Sequence, residues 1–207
     1  MSSSSMGGGD RAGAWLLWRG GTAIGTGINT HPRYQALAVQ YLAEISGKPI
    51  VSASNLVEAT SDMGAFVLFS GILKRFAIKL GKMCNDLRLL SSGPRTGLGE
   101  IHLPPMQPGS SIMPGKVNPV VPEATLMVCA RIIGNDATIA WAGASGAFEL
   151  NVAIPVMGTA LLESIRLLSN TVRVLADKTI VGLEANVERA SAFAGMSKVH
   201  REVLRRK

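Results

Sequence analysis

The chain has 207 residues, 47% of them hydrophobic and 17% charged. That length suffices for one or two domains with a substantial core, and the composition excludes a wholly disordered chain. A net charge of +7 invites a nucleic-acid reading, which its distribution removes: residues 189–207 hold six Lys/Arg against one Glu, residues 1–19 hold Arg11 and Arg19 against Asp10, and the body between them is nearly neutral.

In chain order, residues 1–19 carry Ser and Gly runs ahead of the apolar patch Ala14-Trp15-Leu16-Leu17-Trp18. They lack the basic start of a secretory signal and are expected to form a disordered leader. Residues 20–29 are a glycine-rich turn. Gly25-Thr26-Gly27 has neither a preceding strand nor the full dinucleotide spacing, so a phosphate loop is not expected. A helix is predicted from His31-Pro32 to Ser46, with Tyr34, Leu37, Ala38, Tyr41 and Leu42 on one face; Gly47-Lys48-Pro49 stops it. Residues 52–62 read as a polar connector.

From 63 to 90, Phe66, Phe69, Leu73, Phe76, Leu80, Met83, Leu87 and Leu90 recur at helical spacing, which predicts one long helix that tolerates Gly64, Gly71 and Gly81 for close helix approach. Its most apolar run, 63–73, is too short to cross a bilayer, and Lys74-Arg75 follow at once, so no membrane partner is expected. Ser91-Ser92-Gly93-Pro94 ends it. Residues 91–121 are proline-rich and aperiodic, and a stretch of that length inside a domain usually serves function. Two more long helices are predicted at 123–142 and 148–177, the latter kinked at Pro155. Three long helices with few aromatics and no strand periodicity give an all-α, long-helix bundle. Cys84 and Cys129 have no metal-ligand or redox spacing and read as buried free thiols, which fits a reducing, cytoplasmic setting. No metal-ligand cluster or nucleotide motif appears, and no cofactor is expected.

The chemistry-bearing segment is Gly109-Ser110-Ser111-Ile112-Met113-Pro114-Gly115-Lys116-Val117-Asn118-Pro119. Its glycines and prolines suit no regular element. Between two apolar helices it gathers a possible base or nucleophile (Ser110, Ser111) and a possible anion clamp (Lys116, Asn118). Taken singly, each has a plainer role: a turn-capping hydroxyl, a solvated lysine, an Asx turn before Pro119.

This segment resembles the signature of the aspartase/fumarase superfamily, lyases that eliminate ammonia, water or an amine to leave fumarate. The resemblance runs from about Gly20 to about Arg189. It implies part of a central helical-bundle domain over 20–188, with a catalytic loop at 91–121, flanked by an unmatched leader (1–19) and an unmatched basic tail (189–207). It assigns Ser110 as the proton-abstracting base, Lys116, Asn118 and Ser111 to substrate binding, and Glu123 to support, by orienting a histidine that has no counterpart here. His102 does not match that histidine, and His31 and His200 carry no functional expectation. The implied partners are a small dicarboxylate (aspartate, fumarate or malate) and, in the parent family, a homotetramer whose sites draw on three subunits; neither nucleic acid nor metal is implied.

Elimination from such a substrate takes a proton from a carbon beside a carboxylate and must stabilise a doubly charged aci-carboxylate. One fixed donor aimed at such charge typically contributes roughly 2.7–4 kcal/mol. Lys116 offers a full charge and Asn118 offers N–H donors. Residues 56–62 and 84–95 resemble aspartases, whereas 143–152 look more like class II fumarases. The balance favours elimination of ammonia from L-aspartate, with class II fumarase as the alternative. Because the family subunit is longer, the chain is expected to be a fragment, inactive alone. A reading of another class is a helical oligomerisation module.

Overall fold

The computed structural model describes residues 22–109, 112–113 and 115–195, together with the backbone of 15–17 and 196. The remaining leader and tail residues, and Ser110, Ser111 and Pro114, lie outside the described residues. The fold is all-α, its six described helices joined by four strands of two or three residues. The chain forms two compact units, Met1–Leu68 with Ile139–Gly158 and Phe69–Thr138 with Thr159–Lys207. The three long helices expected from periodicity are α3 (Gly64–Leu90), α4 (Val120–Ala144) and α5 (Ile154–Leu175).

In the first unit, β1 (Trp15–Leu17) pairs in parallel with β2 (Ile50–Ser52), so part of the expected leader joins the fold. α1 (Tyr34–Ser46) starts later than His31-Pro32, because His31 forms a turn: Tyr34 N–H donates to its carbonyl at 2.8 Å. It ends at Gly47 in the left-handed region (φ 62°), as the Gly-then-Pro pattern requires. The expected connector at 52–62 contains a short helix, α2 (Leu56–Ser61). Asn55 caps it, its Oδ1 accepting from Glu58 N–H at 3.2 Å. The glycine-rich turn packs here. Gly25 has φ +81°, and a Cβ at that position would overlap the backbone of Leu56 and Val57. Buried Asn151 donates to the carbonyls of Ala142 (2.9 Å) and Gly143 (3.2 Å) at the end of α4 and accepts from Ala153 N–H. The expected kink at Pro155 is absent. The helix begins at Ile154, and a proline in the first turn has no intrahelical N–H to forfeit.

In the second unit, Ala77, Leu80, Cys84, Cys129, Ile132, Leu168 and Leu175 form the core. The seam of α3 is narrower than its periodicity suggested. Small residues Ser70, Ala77, Gly81 and Cys84 are buried, while Phe69, Phe76 and Met83 remain 42%, 46% and 52% exposed. Close approach is real at Gly81, where a Cβ would sit 3.6 Å from Leu126, and not at Gly71, which has nothing within 4 Å. A polar belt flanks this seam. Asp136 accepts from Lys74 Nζ (2.5 Å) and Ser70 Oγ (2.8 Å). Buried Asn135 donates to Glu163 Oε2 (2.9 Å), Ser164 Oγ (3.0 Å) and the Ala160 carbonyl (3.2 Å). α4 begins at Val120, ahead of the predicted 123, and α6 (Val187–Met196) runs into the stretch expected as a tail. No described helix is long and apolar enough to cross a membrane.

Two expected outcomes follow from this packing. Cys84 and Cys129 are buried free thiols, and burial pushes both above the ordinary thiol range, Cys129 adding to the effect at Cys84. Neither is then available as thiolate near neutrality. Iodoacetamide at about pH 8 is expected to label them only as fast as the chain unfolds; rapid labelling of native protein contradicts the packing. The hydrogen bonds from Asn135 and then Arg131 hold Glu163 below the usual carboxylate range. A depressed folded pKa gives stability that is present above the unfolded value and is lost as pH falls through the folded one. Glu163→Gln is therefore expected to lower Tm at about pH 7, and the gap to the unaltered chain is expected to narrow as pH falls through the folded pKa.

Candidate active site

The site region begins where α3 stops. Ser92 Oγ donates to the Leu89 carbonyl (2.5 Å) and accepts from Leu98 N–H (3.1 Å), folding 92–98 into a closed turn. Gly97 lies so close to Ser92 and Gly93 that a Cβ there would overlap their backbone. Glu100 N–H returns to the Leu90 carbonyl at 2.9 Å. β3 (Ile101–His102) then pairs antiparallel with β4 (Glu184–Ala185), which places His102 opposite Glu184.

The signature segment closes on itself. A Cβ at Gly109 would stand 2.9 Å from the carbonyl oxygen of Lys116, so only glycine fits where the two ends meet. Gly115 turns the chain with φ +81°, and Lys116 N–H donates to the Met113 carbonyl at 3.1 Å. The carbonyls of Asn118 and Pro119 accept from Val120 N–H (2.9 Å) and Glu123 N–H (3.0 Å), which joins the segment directly to the first turn of α4. Lys116 and Asn118 are half-buried. Among the described residues neither side chain has a hydrogen-bond or ion-pair partner, and the two are held four and two positions ahead of the start of α4. Glu123, in the first turn of α4, faces Arg88 at 3.8 Å; both side chains are about 40% exposed, and such a pair contributes at most about 1 kcal/mol. Of the five expected site residues, the structure thus brings Lys116, Asn118 and Glu123 onto one loop–helix junction, and Ser110 and Ser111 lie outside the described residues.

Beside this junction lies a cavity of about 540 Å³. Its lining combines Gly115, Val117 and Pro119 with residues of the 91–103 stretch and with Asn186, Glu188 and Arg189. Lys116 and Asn118 are not in its lining, so the alternate residues of one segment serve two surfaces. Sequence reasoning missed this cavity and the contact of Arg189 with Gly97 and Leu98, because both depend on pairing residues far apart in the chain. No group of three or more His, Cys, Asp and Glu residues able to hold a metal occurs among the described residues.

A protein family described as Lyase matches residues 13–134, more than half of the chain and including the whole signature segment. The chain belongs to this lyase family, the aspartase/fumarase superfamily of the sequence reading. Aspartate ammonia-lyase of Pseudomonas canavaninivorans is 64% identical over 170 residues, covering 82% of this chain and 36% of the relative. Aspartate ammonia-lyase of Escherichia coli K12 is 57% identical over 169 residues, covering 82% and 35%. Among solved structures, the fumarate lyase:delta crystallin of Brucella melitensis superposes with a TM-score of 0.83 at 54% identity, covering 88% of this chain and 40% of that one. The class II fumarase of Schistosoma mansoni superposes with a TM-score of 0.80 at 36% identity, covering 86% and 40%. The chain thus spans about a third of the length of the curated relatives it matches. The lyase match starts at residue 13, inside the stretch expected as an unmatched leader, and β1 lies within it.

Proposed function

We propose that this chain carries the loop-bearing wall of a lyase site that eliminates ammonia from L-aspartate to give fumarate. The observation that carries the reading is the junction itself: Lys116 and Asn118, half-buried and without a side-chain partner among the described residues, on a segment in a chain 57–64% identical to two aspartate ammonia-lyases. In this reading Lys116 and Asn118 hold a substrate carboxylate and take up the charge that grows on it as the proton leaves. Ser110 is the base, its anion stabilised by the Lys116 ammonium, and Ser111 adds a donor. Glu123, already held by Arg88 in this chain, supports the helix start, where a carboxylate also favours the dipole. The 36% identity to the S. mansoni fumarase keeps water elimination as the second reading.

The remainder of the site, by resemblance, comes from segments that match nothing in these 207 residues and from neighbouring subunits of a homotetramer, in a soluble, cytoplasmic setting. The chain on its own is therefore expected to show no turnover, followed as fumarate absorbance with L-aspartate. Tagged and recovered from its own cells with whatever it assembles with, the protein is expected to form fumarate from L-aspartate and not from L-malate. Fumarate from L-malate alone favours the fumarase reading. Activity on neither substrate overturns the proposal.

A further inference from the structure

We propose that Arg189 is a positioning residue for the signature segment, acting through the turn that follows α3. The guanidinium reaches back some ninety residues: Nε donates to the Leu98 carbonyl and Nη2 to the Gly97 carbonyl, both at 3.0 Å. A planar fork on two successive carbonyls fixes direction as well as distance, which an ammonium does not. Phe193, one helical turn further along α6, holds the guanidinium from the other side, with its ring centroid 5.1 Å away. The first turn of α6 is anchored at the same place. Asn186 Oδ1 accepts from Arg189 N–H at 3.1 Å, while Asn186 N–H donates to the Glu100 carbonyl at 2.8 Å.

What Arg189 grips has little room to move. Gly97 is packed on the Ser92–Gly93 backbone, Leu98 N–H is bound by Ser92, and Glu100 N–H by the end of α3. Gly93 and Gly99 on either side of the gripped carbonyls, together with Arg189 itself, line the 540 Å³ cavity that Gly115, Val117 and Pro119 also line. Lys116 and Asn118 alternate with those three residues. Their backbone thus borders the same cavity as Arg189 and the turn that it grips. A surface arginine with a merely local role would steady 97–98 and nothing across the cavity.

The inference rests on the lyase reading only in calling 115–119 a substrate wall; the coupling itself does not depend on it. Hydrogen exchange of the whole chain, read peptide by peptide, tests it. Arg189→Ala is expected to speed exchange roughly tenfold across 97–103, the loss of a charge-assisted contact. It is also expected to speed exchange measurably at 115–119, with the core around Ala77, Cys84 and Ile132 unchanged. Arg189→Lys keeps the charge and loses the fork, and is expected to restore little of the protection. Unchanged exchange at 115–119 in whichever of the two variants folds, or full rescue by lysine, overturns the proposal. Fumarate added to the unaltered chain reads the other claim separately: failure to protect 109–119 counts against the lyase reading and leaves the comparison of variants standing.

Discussion

Lys116→Ala is expected to weaken fumarate binding by the chain about 10- to 100-fold, measured by isothermal titration calorimetry, and to leave Tm unchanged. The magnitude follows from removing the charged partner of a carboxylate, worth about 1.5–3 kcal/mol for a hydrogen bond to a charged group. The unchanged Tm follows from the structure: among the described residues the ammonium has no partner to lose, and the side chain is only half-buried. Asn118→Ala removes a neutral donor and should cost less, nearer tenfold. Lys82→Ala is the matched control for net charge, since Lys82 pairs with Asp86 on the exposed side of α3, away from the signature segment. Equal weakening by Lys82→Ala and Lys116→Ala would reduce the effect to bulk electrostatics and remove the assignment of Lys116.

Gly97→Ala is expected to destabilise the chain by about 3 kcal/mol, at the upper end of the usual range for overpacking. The added methyl would overlap the Ser92 carbonyl and the Gly93 nitrogen, and backbone atoms cannot swing aside as a long side chain can. Relief requires opening the 92–98 turn, which breaks the Leu98–Ser92 hydrogen bond and withdraws the two carbonyls that receive Arg189. The damage should therefore be both thermodynamic and local, with a lower midpoint in urea and a change in the site region that precedes global unfolding. Gly71→Ala, within α3 and with open space around it, is expected to be neutral or slightly stabilising, because the change favours a helix. Similar costs at Gly97 and Gly71 would contradict the steric account.

The contrast between these glycines shows what was legible in the sequence. The long helices were, because periodicity over twenty or more residues outweighs any single position. Gly47 was legible as a stop because a left-handed residue followed by proline is a local signal. The signature segment was legible because its composition suits no regular element. Gly97, Gly25 and Gly109 were not distinguishable from Gly71, since each is required by a neighbour far along the chain or across a loop. The same holds for Arg189, whose partners lie some ninety residues earlier, and for α2, whose six residues show no period and are specified by the Asn55 cap. The apolar faces of α3 misled for a physical reason. Phe69, Phe76 and Met83 fit the helical period, but helices that approach through Ser70, Ala77 and Gly81 leave larger neighbours outside the seam. Of the proposed site, Lys116, Asn118 and Glu123 were nominated from the motif, whereas the cavity lined by Gly115, Val117 and Pro119 was not legible.

The central claim is that 109–119 is a dicarboxylate-holding wall, and hydrogen exchange of the unaltered chain with and without fumarate tests it most directly. The account predicts slower exchange confined to peptides spanning 109–119 and the first turn of α4, saturating with fumarate and absent with an equal concentration of chloride. Protection that is absent at saturating fumarate, or that falls only elsewhere in the chain, would contradict it.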